Sequence, residues 1–136
     1  MRSIPDVSVI TTTYNYARYL PRCLRSLLSQ RWINVEIIVV DDASSDDTAL
    51  VIEQFLDDVH FTRLPINVGV SAAANVGLGI ARSQLVVRVD ADDYVTSDFC
   101  YVLKRAVEMN HDALGVACDA LLVDEYENVI GRRSAD

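Results

Sequence analysis

The chain has 136 residues, 51% of them hydrophobic, and a formal net charge of −8. That length suits one domain or part of a larger one, and the apolar share is too high for a disordered chain. So acidic a chain lacks the basic face that nucleic acid requires, and no nucleic-acid partner is expected; a small phosphorylated ligand stays open, because a metal ion can supply the positive charge.

In chain order, Val7, Ser8, Val9 and Ile10 form a β-branched run that leads into Thr11, Thr12 and Thr13, the pattern of a first strand. Leu20, Leu24, Leu27 and Leu28 then fall at i, i+4, i+7 and i+8, one face of a helix, and Pro21 suits its first turn. Residues 35–40 are apolar except for Glu36 and stop at Asp41 and Asp42, as in a strand buried on both faces. Ser45, followed by Asp46 and Asp47, has the form of a helix start, with Ile52, Phe55, Leu56 and Val59 as the apolar stripe. Residues 60–64 predict a shorter strand closed by Pro65, and residues 71–82 a helix rich in small residues that can approach its neighbours closely. Residues 85–89 are the strand that delivers Asp90, Asp92 and Asp93. Ser97 is expected to cap a fourth helix whose inward residues are Phe99, Val102, Leu103, Ala106 and Val107. Residues 114–123 read as extended, with a turn over 124–128 before Val129 and Ile130.

Strand and helix alternate, so the expected fold is α/β with a mainly parallel sheet flanked by helices. Ligands of such sheets sit at the carboxyl ends of the strands, near the switch in strand order. Three of those ends carry polar groups: residues 11–15, residues 41–45, and residues 90–93. Their convergence at one edge is the functional expectation.

Each group has a bland role beside a chemical one. Asp90, Asp92 and Asp93 repel one another unless a cation binds, and carboxylate oxygen suits Mg²⁺ or Mn²⁺; a solvated acidic loop would carry the same residues. Calcium in a helix–loop–helix site lacks its loop glycine and distal glutamate. At Asp41–Asp42 a fixed carboxylate can accept hydrogen bonds from a base or ribose, or both can simply cap the loop through Ser44 and Ser45. Tyr14 can lie flat on a base or pack on the first helix. Cys23, Cys100 and Cys118 are odd in number, lack zinc-site spacing and are expected in the core. With no signal peptide at the start and no run long enough to span a bilayer, the expected compartment is reducing and cytoplasmic.

Four segments in the right order resemble the inverting family-2 glycosyltransferases of GT-A fold: VSVITTTYNYARYLPRCLRSLLSQ, VEIIVVDDASSDDT, NVGVSAAANVGLGIA and VDADD. The resemblance covers essentially the whole chain. It implies a Rossmann-like fold and transfer of a sugar from a nucleotide-diphosphate donor, by default a UDP-sugar, to a saccharide or lipid-linked acceptor. It places Thr12 and Tyr14 at the base pocket, Asp42 on the base, Asp90 near the ribose and Asp92 on a Mn²⁺ or Mg²⁺ ion. Asp93 extends the motif beside that ion or its bound water. It implies work at the inner face of a membrane, through parts other than these residues.

Two departures from the family pattern matter. Many members carry an arginine immediately before the asparagine matching Asn75; here that residue is Ala74, leaving Arg82 and Arg88 as the nearby candidates for the diphosphate. The general base for the acceptor is expected beyond residue 136, so the chain is expected to be the donor half of an enzyme and inactive alone. His60 and His111 are poor substitutes because neither sits at a predicted carboxyl-terminal strand end. Should transfer occur within these residues, Asp124 and Glu125 are the candidates.

Two other classes share some of these features. A phosphoacceptor receiver domain would use Asp41, Asp42 and Asp90, but it begins with its acidic strand and needs a lysine after a later strand, whereas the one lysine is Lys104, inside a predicted helix. A non-catalytic module that binds a nucleotide without transfer is the other reading.

Overall fold

A computed structural model of the protein describes residues 3–135. It forms two compact units, one up to Val102 and one from Leu103 onward.

The first unit is built on a four-stranded parallel sheet of β1 (Val7–Thr13), β2 (Val35–Asp41), β3 (His60–Arg63) and β4 (Val86–Arg88), in the spatial order β3-β2-β1-β4. The chain lays down β1, β2 and β3 in one direction and then returns to place β4 on the other side of β1. The switch in strand order therefore falls between β1 and β4. All seven residues of β1 are buried, as are six of the seven in β2, because both sheet faces are covered.

Alternation divides the side chains between the faces. Val7, Val9, Ile37 and Val39 join α1 (Leu20–Leu28), α2 (Thr48–Ile52) and the 3₁₀ turn Glu53–Phe55 in the larger core. Ile38 and Val40 point the other way, onto α3 (Val70–Ile80). On α1 the buried stripe is Leu20, Cys23, Leu24 and Leu27; Leu28 is exposed, contrary to the sequence expectation, and Cys23 fills the i+3 place in its stead. On α3 the contact narrows to Ala73 and Gly77. A Cβ built at Gly77 would lie 2.6 Å from Ile10 Cγ2, so only glycine allows this approach.

Several boundaries move from expectation for identifiable reasons. Ser45 does not cap α2, because the helix starts only at Thr48; the Ser45 N–H and hydroxyl donate to Asn15 Oδ1, and Asp46 Oδ1 accepts from the Thr48 N–H and hydroxyl. Leu56 is exposed, since the helix tightens into a 3₁₀ turn before reaching it. Asp98, not Ser97, directly precedes α4 (Phe99–Met109), and Val102 is exposed while Cys100 is fully buried.

The unit from Leu103 onward contains the end of α4 and an antiparallel hairpin of β5 (Ala120–Val123) and β6 (Val129–Arg133). Extended structure thus begins at Ala120 rather than at residue 114. The Asp124 carboxylate closes the turn by accepting from the backbone N–H groups of Tyr126 and Asn128. Cys118 is exposed, correcting its expected place in the core, whereas burial pushes the Cys23 and Cys100 thiols up to about 12 and about 11. No helix of the described residues is long and apolar enough to cross a membrane.

At the amino-terminal edge of the sheet, Glu36 explains how an acid tolerates a buried strand. Its carboxylate accepts from the Ser8 hydroxyl at 2.7 Å, from the Arg82 backbone N–H at 3.0 Å, and from the Arg82 guanidinium. Burial raises its pKa, but these bonds outweigh it and the net shift is downward. Glu36→Gln should therefore destabilise the fold by about 1–3 kcal/mol in urea titrations near neutral pH, discounting the half-exposed Arg82 side chain. Because the folded pKa is lowered, the wild-type advantage is full above the usual glutamate range and closes as pH falls through the folded value. A gap that widened toward acid would contradict this account.

Candidate functional site

The carboxyl ends of β1, β2 and β4 open onto a cavity of about 470 Å³. It is lined by Thr12, Thr13, Tyr14 and Tyr16 from the end of β1, by Asp42 from the end of β2, and by Arg88, Asp90, Ala91 and Asp92 from the end of β4. Asn67, Gly69 and Val70, at the entry to α3, complete it. Thr12, Tyr14, Asp42, Asp90 and Asp92, all expected from sequence, are thus brought together; Asp93 is next in chain and outside the lining.

The segments that follow β1 and β2 are held together by the side chains of Asn15 and Asp46. Asn15 takes a left-handed backbone conformation, φ 58°, which asparagine tolerates well. Its Oδ1 accepts from the backbone N–H groups of Ser45 and Asp46, at 2.8 and 3.2 Å, and its own N–H donates to Ser44 Oγ at 2.9 Å. Asp46 Oδ2 returns the tie by accepting from the Ala17 N–H at 2.9 Å. Burial raises the Asp46 pKa, yet the bonds from Thr48 and Ala17 win and lower it overall.

Adjacent aspartates at the end of β2 do different jobs. Asp41 is fully buried: its Oδ1 accepts from the Ser44 N–H, and Oδ2 lies 3.5 Å from Arg63 Nε. Asp42 lines the cavity, and its carboxylate also reaches across to the start of α3. There it accepts from the Val68 N–H at 2.7 Å and the Gly69 N–H at 2.9 Å. Of the loop-capping expected for both aspartates, the structure shows Asp41 accepting from Ser44, while Asp42 accepts from Val68 and Gly69 instead. Gly69 has φ 87°, a conformation open to glycine that lets both amides face one carboxylate.

Charge at the β4 end is concentrated. Burial raises the Asp93 pKa, and the nearby Asp92 and Asp90 charges raise it further. Asp90 is half exposed and accepts from Arg88 at 2.7 Å. Arg82, the other expected candidate, is held by Glu36 at the opposite edge of the sheet, away from this cavity. Sequence reasoning did not single out Thr13, Tyr16 or Asn67. The Thr13–Tyr14–Asn15–Tyr16 run was visible, but nothing local tells which of its side chains turns toward the cleft.

A parallel sheet, its strand-order switch and a polar cleft at that switch define an α/β ligand-binding fold of the Rossmann-like kind. The model of "Glycosyl transferase family 2" matches residues 8–134, and the chain belongs to that family. It is 35% identical over 133 residues to an uncharacterized glycosyltransferase of Nostoc sp. (strain PCC 7120), covering 94% of this chain and 40% of that one. It is 36% identical over 121 residues to the succinoglycan biosynthesis protein ExoO of Rhizobium meliloti, covering 87% of this chain and 34% of the relative.

Among solved structures, S. aureus TarS 1-349 in complex with UDP-GlcNAc superimposes with a TM-score of 0.72 at 31% identity, over 78% of this chain and 32% of that one. The mannosyltransferase PcManGT of Pyrobaculum calidifontis, in complex with GDP-Man and Mn²⁺, gives 0.69 at 25% identity, over 90% and 36%. The fold is the GT-A fold of glycosyltransferases. The chain spans less than half the length of these curated relatives.

Asp42→Asn tests the bridge between β2 and α3. An amide nitrogen would point a donor at one of two backbone donors, so this variant should lose about 1–3 kcal/mol of stability. The check is urea denaturation together with amide exchange, which should accelerate at Val68 and Gly69 while β1 stays protected. Unchanged exchange at those two amides would refute the bridging role.

Proposed function

We propose that these residues bind the nucleotide-diphosphate sugar, by default a UDP-sugar, for metal-assisted, inverting transfer to a saccharide or lipid-linked acceptor. The observation that carries this reading is the single cavity shared by Thr12, Tyr14, Asp42, Asp90 and Asp92 at the switch in strand order. Bound UDP-GlcNAc in TarS and bound GDP-Man in PcManGT support a nucleotide-sugar ligand of one base or the other.

In this reading Tyr14, 46% exposed, offers a ring face to the base, with Thr12 at the pocket wall. Asp42 has lone pairs beyond those used by Val68 and Gly69 and accepts from the base. Asp90 gives one oxygen to Arg88 and has the other for a ribose hydroxyl. Asp92, with Asp93 adjoining, would hold Mn²⁺ or Mg²⁺. The fit is one of donor chemistry: hard cations take carboxylate oxygen, commonly one or two groups, and complete their shell from substrate phosphate and water. Burial raises the Asp93 pKa first, and the Asp92 and Asp90 charges add to it; that like-charge crowding is the kind a cation relieves. The ion, when bound, would neutralise the diphosphate as it leaves.

The protein's own contribution is to bind and orient the donor. Inverting transfer also needs a general base at the acceptor hydroxyl, and this reading assigns none among the cavity residues; it places that base beyond residue 136. His60 stands at the start of β3, away from the cavity edge. Hydrogen bonds, first from the Asn128 side chain and then from its backbone, lower the Asp124 pKa, which makes it a weak base.

Calorimetry with UDP, GDP and dTDP, with and without Mn²⁺, tests the reading. Asp92→Ala should weaken diphosphate binding at least about 10-fold when Mn²⁺ is present. An equal loss of metal-free nucleoside binding would remove Asp92 from the metal role. Asp42→Asn should alter the preference among bases more than the metal affinity, and an unchanged preference would take it off the base.

The 136-residue chain should bind donor without transferring sugar to a cognate acceptor. A missing base alone costs about 10²- to 10⁴-fold, and losing acceptor orientation removes further rate. Measurable transfer of radiolabelled sugar by this chain would mean a base lies inside it. Binding of no nucleotide, with labelling by acetyl phosphate, would instead favour a receiver-type domain.

A further inference from the structure

The donor cavity raises a problem of charge. Its lining contains three carboxylates, Asp42, Asp90 and Asp92, while a nucleoside diphosphate brings more negative charge with it. A cation at Asp92 offsets part of this. Among the described residues lining the cavity, Arg88 is the one positively charged side chain. The other arginines near the sheet are committed elsewhere. Arg63 donates to the Ser44 carbonyl at 2.6 Å and pairs with Asp41, and Arg82 is bound to Glu36 at the far edge. On α3, one turn after the cavity-lining Val70, the chain has Ala74 and offers no charge.

We propose that Arg88 is the phosphate-binding cation of this site, doing from β4 what Ala74 cannot do from α3. This inference rests on the donor-binding reading given above. Three observations carry it. Arg88 stands two residues before Asp90 at the end of β4, beside the strand-order switch, and its register partner is Ile10 of β1. Its side chain lines the cavity and is 46% exposed, so it is open to a ligand there. Its recorded partner there is Asp90 Oδ1, through Nη2 at 2.7 Å; a guanidinium has five donors in a planar fork, so other N–H groups remain for phosphate oxygens. Asp90 thereby acquires a second role. It holds the fork through one oxygen and keeps its other oxygen for the ribose.

The test is a ladder of ligands on the 136-residue chain: nucleoside, nucleoside monophosphate and nucleoside diphosphate, of whichever base the wild type prefers, each with and without Mn²⁺. Arg88→Gln should leave nucleoside affinity within about twofold. It should weaken diphosphate binding by about 10- to 100-fold, the loss of a charge-assisted hydrogen bond, with monophosphate between. Arg88→Lys, which keeps the charge without the fork, should fall between wild type and Arg88→Gln. In the Arg88→Gln background, Ala74→Arg should restore diphosphate affinity.

Equal losses for nucleoside and diphosphate would mean that Arg88 serves the fold or Asp90 alone, and would overturn the proposal. So would an unchanged diphosphate affinity in Arg88→Gln, or a failure of Ala74→Arg to restore it. Urea midpoints for each variant establish that it is folded, and if Arg88→Gln does not fold, the ladder is read on Arg88→Lys. Absence of binding of any nucleoside diphosphate by the wild type is a separate result, which would overturn the donor-binding reading itself.

Discussion

The constraint on which the first unit depends is the complete burial of β1 between β2 and β4. A parallel strand covered on both faces has no solvent side, so every backbone group must be paired and every side chain must fit a core. Val7 to Ile10 satisfy this with apolar side chains, except that Ser8 donates to Glu36. At the other end the chain must leave the sheet, and its polar residues emerge together with those of the neighbouring strands. The register Thr13↔Asp41 brings the ends of β1 and β2 level, and β4 stops a little earlier, its last residue Arg88 paired with Ile10. The cavity is the consequence of three strands ending where the order of the sheet reverses.

The sheet's two edges treat acids differently, and that contrast explains the placement of function. At the amino edge Glu36 is matched by Ser8 and Arg82, so its charge is satisfied internally and contributes to stability. At the carboxyl edge Asp42 is partly satisfied by two backbone amides, Asp90 by one arginine, and Asp93 is crowded by like charges. Incompletely matched charge costs stability and persists where a ligand can complete it. Family membership and the nucleotide-sugar complexes of TarS and PcManGT fit an edge of that character.

Adjacent residues also divide labour in a way that chemistry alone does not foretell. Asp41 and Asp42 have the same side chain and neighbouring positions, yet strand alternation sends them to opposite sides. One is sealed against Ser44 and Arg63, and the other bridges to the turn that starts α3. The clasp at Asn15 is similar in kind: a left-handed residue whose one oxygen meets two amides thirty positions on. Together these ties make the cavity walls from loops that would otherwise be independent.

By itself the sequence determined the succession of strands and helices, because β-branched runs, the Leu20–Leu24–Leu27 spacing and Pro21 are local signals with local causes. It also determined that three polar strand ends would meet, since parallel α/β connectivity sends successive strands the same way. The four motif segments carried the family. What tertiary structure decided were the partners. Whether Leu28 or Cys23 completed the α1 stripe depended on what lay across the core, and whether Asp41 or Asp42 faced the cleft depended on strand register. That Arg82 belongs to Glu36 while Arg88 turns toward the cavity is invisible in one dimension, because both arginines lie near the same strand in sequence. Arg82 precedes β4 and Arg88 is its last residue, so the strand carries the second arginine to the opposite edge, a distance that acquires meaning only once the strand is laid against β1.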